Sequence, residues 1–208
     1  MAGSASHRSP PARCLAAATA GALLALAALP GCTPRQAPFG LQNITGLLPP
    51  LRFSLTNQDG RPVSAEDFRG KVVLLYFGYT NCPDVCPTTL ARLDRAVESL
   101  GSGAARVRVL FVSVDPARDT AAVLKRYVSA FGPEVVGLRG DGAALDTLIR
   151  RYRVTYHREP PDARGYYAVD HSSAVFIFDR DGDARLLAEE SSPTKAIAAD
   201  LRRLLATE

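Results

Sequence analysis

Along the chain, apolar and polar positions fall into two kinds of pattern, and their order is informative. Leu51–Leu55 alternates apolar and polar, Asn57–Gly60 is turn chemistry, and Pro62-Val63 follows, so a β-hairpin is expected to open the domain. Ser64 can cap a short helical turn to Phe68, with Asp67 closing a capping box and Gly70 ending it. Lys71–Phe77 is a nearly unbroken apolar run, the pattern of a strand covered on both faces. Leu90, Leu93, Val97 and Leu100 then recur at helical spacing before Gly101, and Val107–Val114 is a second β-rich run. Strand, helix and strand at this spacing predict a βαβ unit with a parallel pair. Val123, Leu124, Tyr127, Val128 and Phe131 predict a second helix, closed by Gly132-Pro133. A short strand near Val135–Leu138 precedes a helix capped by Asp141, with Leu145, Leu148, Ile149 and Tyr152 on one stripe. Ala174–Phe178, the Asp181-Gly182 turn signal and Arg185–Ala188 read as a β-hairpin, and Ser192-Pro193 starts a closing helix through Ile197, Leu201 and Leu204. This order predicts an α/β fold, a thioredoxin-like sandwich with an N-terminal β-hairpin extension and an insertion after the second core strand.

Composition narrows the function classes. The 208 residues, 47% hydrophobic and 22% charged, suit one globular domain with an appendage. Two of the four net positive charges come from Arg8 and Arg13, because residues 1–31 hold no Asp or Glu. What is left is a nearly balanced chain without a basic block, which argues against a nucleic-acid partner. Four cysteines are too few for a disulfide-stapled miniprotein.

The N-terminus reads as an address. His7, Arg8 and Arg13 make a basic start, and the uncharged Ala/Leu-rich run from Cys14 to Leu29 is shorter than the ~20 apolar residues a spanning helix needs. It ends in Leu29-Pro30-Gly31-Cys32, which resembles a bacterial lipoprotein box with Cys32 as the acylated first residue of the mature chain, although Pro30 departs from the usual pattern. An ordinary cleaved signal and an uncleaved short anchor are the alternatives. Each places the globular part outside the cytoplasm, facing the periplasm. Residues 1–31 are thus expected to be a signal peptide, 32–50 a tether and 51–208 the folded domain.

The chemistry concentrates in Tyr76-Phe77-Gly78-Tyr79-Thr80-Asn81-Cys82-Pro83-Asp84-Val85-Cys86-Pro87, directly after the buried strand. Loops at the carboxyl ends of parallel strands are where α/β proteins gather function. Pro87 suits a first helical position, so the helix is expected to start there with Cys86 at its cap, where the helix dipole favours a thiolate. Three intervening residues still allow a redox-active Cys82–Cys86 disulfide, and also free both sulfurs to converge on an ion. Soft thiolates select Cu(I), zinc or iron–sulfur clusters. A structural zinc site wants four protein ligands, whereas the mature chain offers two unlipidated cysteines and His157 and His171. Two thiolates and one imidazole suit three-coordinate Cu(I) and can also hold Cu(II). A plain structural disulfide is the bland alternative.

Three ordered segments carry a family resemblance: YFGYTNCPDVCPTTL, then VSVDPARDT at Val112–Thr120, then YYAVDHSSAVFIFD at Tyr166–Asp179. Together they resemble the Sco/SenC family over about residues 50–205. The resemblance implies a thioredoxin-fold copper protein that helps assemble the binuclear copper centre of cytochrome c oxidase subunit II. It further implies that Cys82, Cys86 and His171 bind the copper. His171 lies far from the cysteines in sequence, and spacing alone does not nominate it. In thioredoxin-like folds the turn before the late strand lies against the cysteine loop, normally with a proline; Asp170-His171-Ser172-Ser173 takes that place here.

Other candidates are weaker. Asp115 and Asp119 are expected to order the loop after the second strand and cap the next helix. Asp84 can tune the thiols or meet a partner, or simply be solvated. Asp170 can add negative charge beside the copper. His157 sits in a Pro-rich loop reaching Gly165, a surface loop or a mobile lid. Tyr152, Tyr156, Tyr166 and Tyr167 bracket it as core or docking residues. The function expected is a membrane-tethered copper chaperone serving an oxidase subunit. The main rival is a thiol–disulfide oxidoreductase with Cys82 as attacking thiol. A peroxiredoxin-type peroxidase is a weaker third, because the threonine that family places three residues before its cysteine is missing.

Overall fold

The structure is a computed structural model, and it describes residues 38–206 together with Met1 and Ala2. The expected signal segment and Cys32 lie outside the described residues. Among the described residues no helix is long and apolar enough to cross a membrane.

The apolar run after Gly70 forms β4 (Val72–Gly78), every residue of which is buried. Burial on both faces explains why its pattern is continuous rather than alternating. The strand pairs in parallel with β5 (Val107–Ser113), which pairs in parallel with β6 (Val135–Arg139). On its other side β4 pairs antiparallel with β9 (Val175–Phe178), and β9 with β10 (Ala184–Ala188). The opening hairpin, β2 (Ser54–Asn57) and β3 (Pro62–Ser64), adds to the β6 edge. The stretch expected as tether contributes β1 (Gln42–Asn43) on the β10 edge. The sheet order is therefore β1-β10-β9-β4-β5-β6-β2-β3.

That first strand corrects the expected domain start. Asp200, buried on the last helix, accepts hydrogen bonds from the Gly40 and Leu41 amides at 3.2 and 2.8 Å, and Leu41 and Ile44 are buried. Residues from Pro38 onward thus belong to the folded unit.

Among the described residues four α-helices cover the sheet. In α1 (Val85–Glu98), Leu90, Leu93, Ala96 and Val97 form the buried stripe that packs beside α4 (Thr194–Ala206). The start of α1 differs from expectation. Asp84 is its N-cap, so Cys86 lies inside the first turn and Pro87 just after it. The first-turn amides have no intrahelical partner, so proline is tolerated there one or two residues later than N1. For α2 (Ala121–Val128) the cap is Thr120, whose hydroxyl accepts from the Val123 amide, and neither Asp115 nor Asp119 performs that duty. Asp141 caps α3 (Gly142–Arg151) as its sequence position predicts.

A second departure concerns the Pro-rich loop. Its flanks form a two-stranded ribbon of β7 (Tyr156–Arg158) and β8 (Val169–His171), with Tyr156 opposite His171 and His157 opposite Asp170. Asp170 and His171 therefore sit on a strand rather than in an open turn. Main-chain pairing fixes the direction in which His171 leaves the backbone.

Candidate metal centre

The two cysteines and the histidine are brought together by three elements. Cys82 is on the loop leaving β4, Cys86 is in the first turn of α1, and His171 ends β8. One ligand atom from each lies within 4.8 Å of the others. The Cys86 sulfur is 3.2 Å from His171 Nε2, and the Cys86 amide donates to the Cys82 sulfur at 3.4 Å. Both thiols are free.

The imidazole is oriented for coordination. Its Nδ1 is 2.9 Å from the Ser172 carbonyl oxygen, which can only accept, so the ring proton resides on Nδ1. Nε2 is left with its lone pair aimed at the sulfurs, the arrangement by which an outer partner sets the tautomer of a ligating histidine. Tyr79 meets the imidazole edge-on at 5.9 Å and 90° and so limits its rotation.

Burial sets the charge state. Desolvation pushes the Cys86 thiol up to about 12, with Cys82 nearby adding to the effect. That overrides the dipole argument for a thiolate at a helix cap, because sealing the sulfur from water penalises its anion more than the first helical turn rewards it. Desolvation also lowers the His171 pKa, partly opposed by Ser172 and Asp170. Left to itself the site holds a neutral thiol and a neutral imidazole. A cation can replace the Cys86 proton by supplying the missing positive charge, so metal uptake releases a proton there. Two sulfurs and one nitrogen make a soft donor set that fits a monovalent copper ion better than oxygen-seeking metals.

Several residues whose part in the site the sequence reading missed shape this centre. Gly78 is one: a Cβ there would lie 2.6 Å from the Phe111 ring and 2.9 Å from the Cys86 sulfur, so only glycine lets that sulfur approach the strand. Asp119 is another and is fully buried. Its carboxylate accepts from the Thr80 hydroxyl at 2.6 Å, the Thr80 amide at 3.1 Å and the Ser113 hydroxyl at 2.6 Å. It therefore pins the loop two residues ahead of Cys82 to the end of β5. The cue was available: Asp119 precedes a threonine that can cap by itself, which leaves the carboxylate for another purpose.

Arg118 is the third. It pairs with buried Asp115, donates to the Tyr167 carbonyl at 2.9 Å and stacks on the Tyr167 ring at 3.5 Å. Arg158 stacks on the same ring at 3.7 Å, while the Tyr167 hydroxyl donates to Asp115 at 2.9 Å. Asp115 thus anchors the ribbon that carries His171 and does not touch the ligands. Asp84 is exposed at its cap, where the Thr88 hydroxyl donates to it at 3.2 Å. Asp170 is exposed beside His171 and acts on it through its charge. His157 is exposed, opposite Asp170 on the ribbon. Of the tyrosines, Tyr152 and Tyr167 are core residues, whereas Tyr156 and Tyr166 are exposed near the site. A groove of about 490 Å³, lined by Thr155, Tyr156, Asp170, Ser172 and Ser173 among others, leads to His171.

Comparison with known proteins agrees with this geometry. Residues 50–206 match the family model described as SCO1/SenC. The protein SCO2 homolog, mitochondrial, of Bos taurus is 45% identical over 132 residues, which cover 62% of this chain and 50% of that protein. The chain thus spans about half the length of that relative. ScoI of Bradyrhizobium japonicum, solved with copper bound, is 40% identical with a TM-score of 0.70 and covers 75% of this chain and 99% of its own. Apo Sco1 of Thermus thermophilus is also 40% identical at a TM-score of 0.70, covering 81% of this chain and 99% of its own. The three converging residues, the loops that hold them and the strands beneath all fall inside the matched stretch, and the chain belongs to the SCO1/SenC family.

Proposed function

We propose that this protein is a copper chaperone in which Cys82, Cys86 and His171 hold the ion and pass it to an acceptor, subunit II of cytochrome c oxidase or a similar copper protein. The observation that carries the reading is the convergence of two sulfurs and an unprotonated imidazole nitrogen from three separate elements. Copper bound to the Bradyrhizobium japonicum relative supports it. Copper, as Cu(I) or Cu(II), is the cargo. Cys86 is fully buried, whereas Cys82 and His171 are half-buried. An incoming acceptor ligand therefore meets Cys82 and His171 first, and Cys86 is the last donor to let go. Tethering through an acylated Cys32, with residues 1–31 as the removed signal, keeps the domain at the periplasmic face of a membrane.

The test is His171→Ala. Loss of an outer-shell partner of a metal ligand typically costs 10–100-fold in affinity. Loss of the ligand itself is expected to cost at least about 100-fold on that scale, read by competition against a Cu(I) chelator, while Cys82 and Cys86 still cycle between dithiol and disulfide. Unchanged copper retention in His171→Ala sinks the assignment.

A second reading keeps one observation in its favour. Cys82 is the accessible sulfur and Cys86 the buried one, the division of labour of a thiol–disulfide oxidoreductase. The Cys82 thiolate would attack a partner disulfide and form a mixed disulfide. Cys86 would then displace the partner sulfur, leaving a Cys82–Cys86 disulfide and a partner dithiol in a balanced two-electron exchange.

A further inference from the structure

Tyr76 is among the largest side chains completely sealed from solvent, and it lies on β4 two residues before Gly78. Its ring stands edge-on to the His171 imidazole at 6.2 Å and packs on Phe111 at 6.0 Å. Its hydroxyl faces the Cys86 sulfur and the Thr89 hydroxyl. Even so, the hydroxyl is buried with no hydrogen bond of normal geometry. A neutral thiol is a weak acceptor, whereas a metal-bound thiolate is an anionic one that attracts any nearby O–H. Cys86 is itself fully buried, with the Tyr79 backbone amide as its other near donor. Among the described residues, apart from the Cys86 sulfur, only the buried Thr89 hydroxyl faces the Tyr76 hydroxyl, and that neutral hydroxyl is a weaker acceptor than a metal-bound thiolate.

We propose that the Tyr76 hydroxyl is held in reserve as the hydrogen-bond donor to the Cys86 sulfur of the metal-loaded site, where it governs how much electron density that sulfur gives the ion. This inference rests on the metal-site reading above. Hydrogen bonding around a ligating cysteine sulfur is an established lever on the potential of a copper centre. A donor that lowers the energy of the sulfur lone pairs moves sulfur-to-metal charge transfer to shorter wavelength and makes reduction of the metal easier.

The experiment compares wild type and Tyr76→Phe after loading with Cu(II), and again after loading with Cd(II), which reports the sulfur whatever the physiological metal. Tyr76→Phe keeps the ring and removes only the oxygen. The expected result is retained metal stoichiometry, a sulfur-to-metal band at longer wavelength in both metal forms, and a lower Cu(II)/Cu(I) potential. Replacing Tyr76 by 3,5-difluorotyrosine, a stronger donor, should move the band the opposite way and serves equally should the phenylalanine variant fail to fold. A band that stays in place in these variants while wild type binds metal through sulfur reduces Tyr76 to packing and overturns the inference, leaving the site intact. Absence of any metal–sulfur band in wild type overturns the site reading and this inference together.

Discussion

At the scale of single residues, the ligands and their supports differ in how visible they are. Cys82 and Cys86 stand out because two thiols bracket a short loop between a buried strand and a helix, a local arrangement that any reading of the chain encounters. His171 needed the fold or a family pattern, because proximity across the sheet leaves no trace in spacing. Asp119 was visible as an ordering residue of its own loop, but not the three hydrogen bonds by which it holds Thr80 and Ser113. Hydrogen bonds to a charged acceptor contribute about 1.5–3 kcal/mol each, and buried donors left alone cost more than exposed ones. Asp119→Ala is therefore expected to lower the unfolding free energy by about 3 kcal/mol, measured by urea titration. Metal affinity should fall with it, because the Thr80–Cys82 loop loses its anchor. An Asp119→Ala protein of wild-type stability would show that this carboxylate is no anchor.

Among the elements, the β7–β8 ribbon matters most and was least legible. Strands of three residues carry too little periodicity to be read, and their pairing depends on what lies beneath them. Here that support is the Asp115–Arg118–Tyr167 cluster, in which an ion pair, a tyrosine hydroxyl and two guanidinium groups stacked on one ring fasten the ribbon to the loop after β5. Each stacking contact contributes about 0.5–2 kcal/mol depending on its desolvation. Arg118→Ala should release the ribbon, so that amides of residues 156–158 and 169–171 exchange faster in hydrogen–deuterium measurements. Copper affinity should drop about 10–100-fold, as for other supports of a metal ligand, while the two cysteines still form their disulfide. A ribbon equally protected in Arg118→Ala would mean that strand pairing suffices. The start of α1 belongs to this scale too. Proline at position 87 marks the first helical turn, but which residue of that turn it occupies is settled by how the preceding loop closes over Cys86.

For the molecule as a whole, burial of the site writes a pH signature into the metal-free protein. The His171 pKa lies below 6.5 in the fold, so between that lowered value and 6.5 the unfolded chain takes up a proton that the folded one refuses. Stability from this group is complete above 6.5 and is lost as pH falls. Cys86 works in the other direction: its thiol is raised from 9.0 to about 12, so the folded state keeps a proton that the unfolded state gives up. That contribution is complete below 9.0 and fades as pH rises towards 12. Denaturation midpoints of the reduced, metal-free protein should consequently peak between about 6.5 and 9, the window left between these two pKa shifts. Cys86→Ser should flatten the alkaline limb between 9.0 and 10.0. That lies below the range in which Tyr76, Tyr79, Tyr127, Tyr152 and Tyr167, all raised from 10.0 by burial, add their own loss. A limb unaltered there would place the titrating group elsewhere. Unbroken apolar runs, helical stripes, turn residues and caps are local consequences of backbone geometry and solvent exclusion, and the chain states them outright for β4, β5, α3 and the β9–β10 hairpin. Where Cys86 sits in its helix, what Asp119 holds, how far the fold extends toward Pro38 and which way the His171 nitrogen points all depend on contacts between distant segments. Those contacts come from closing one shared core, and only the folded chain contains that information.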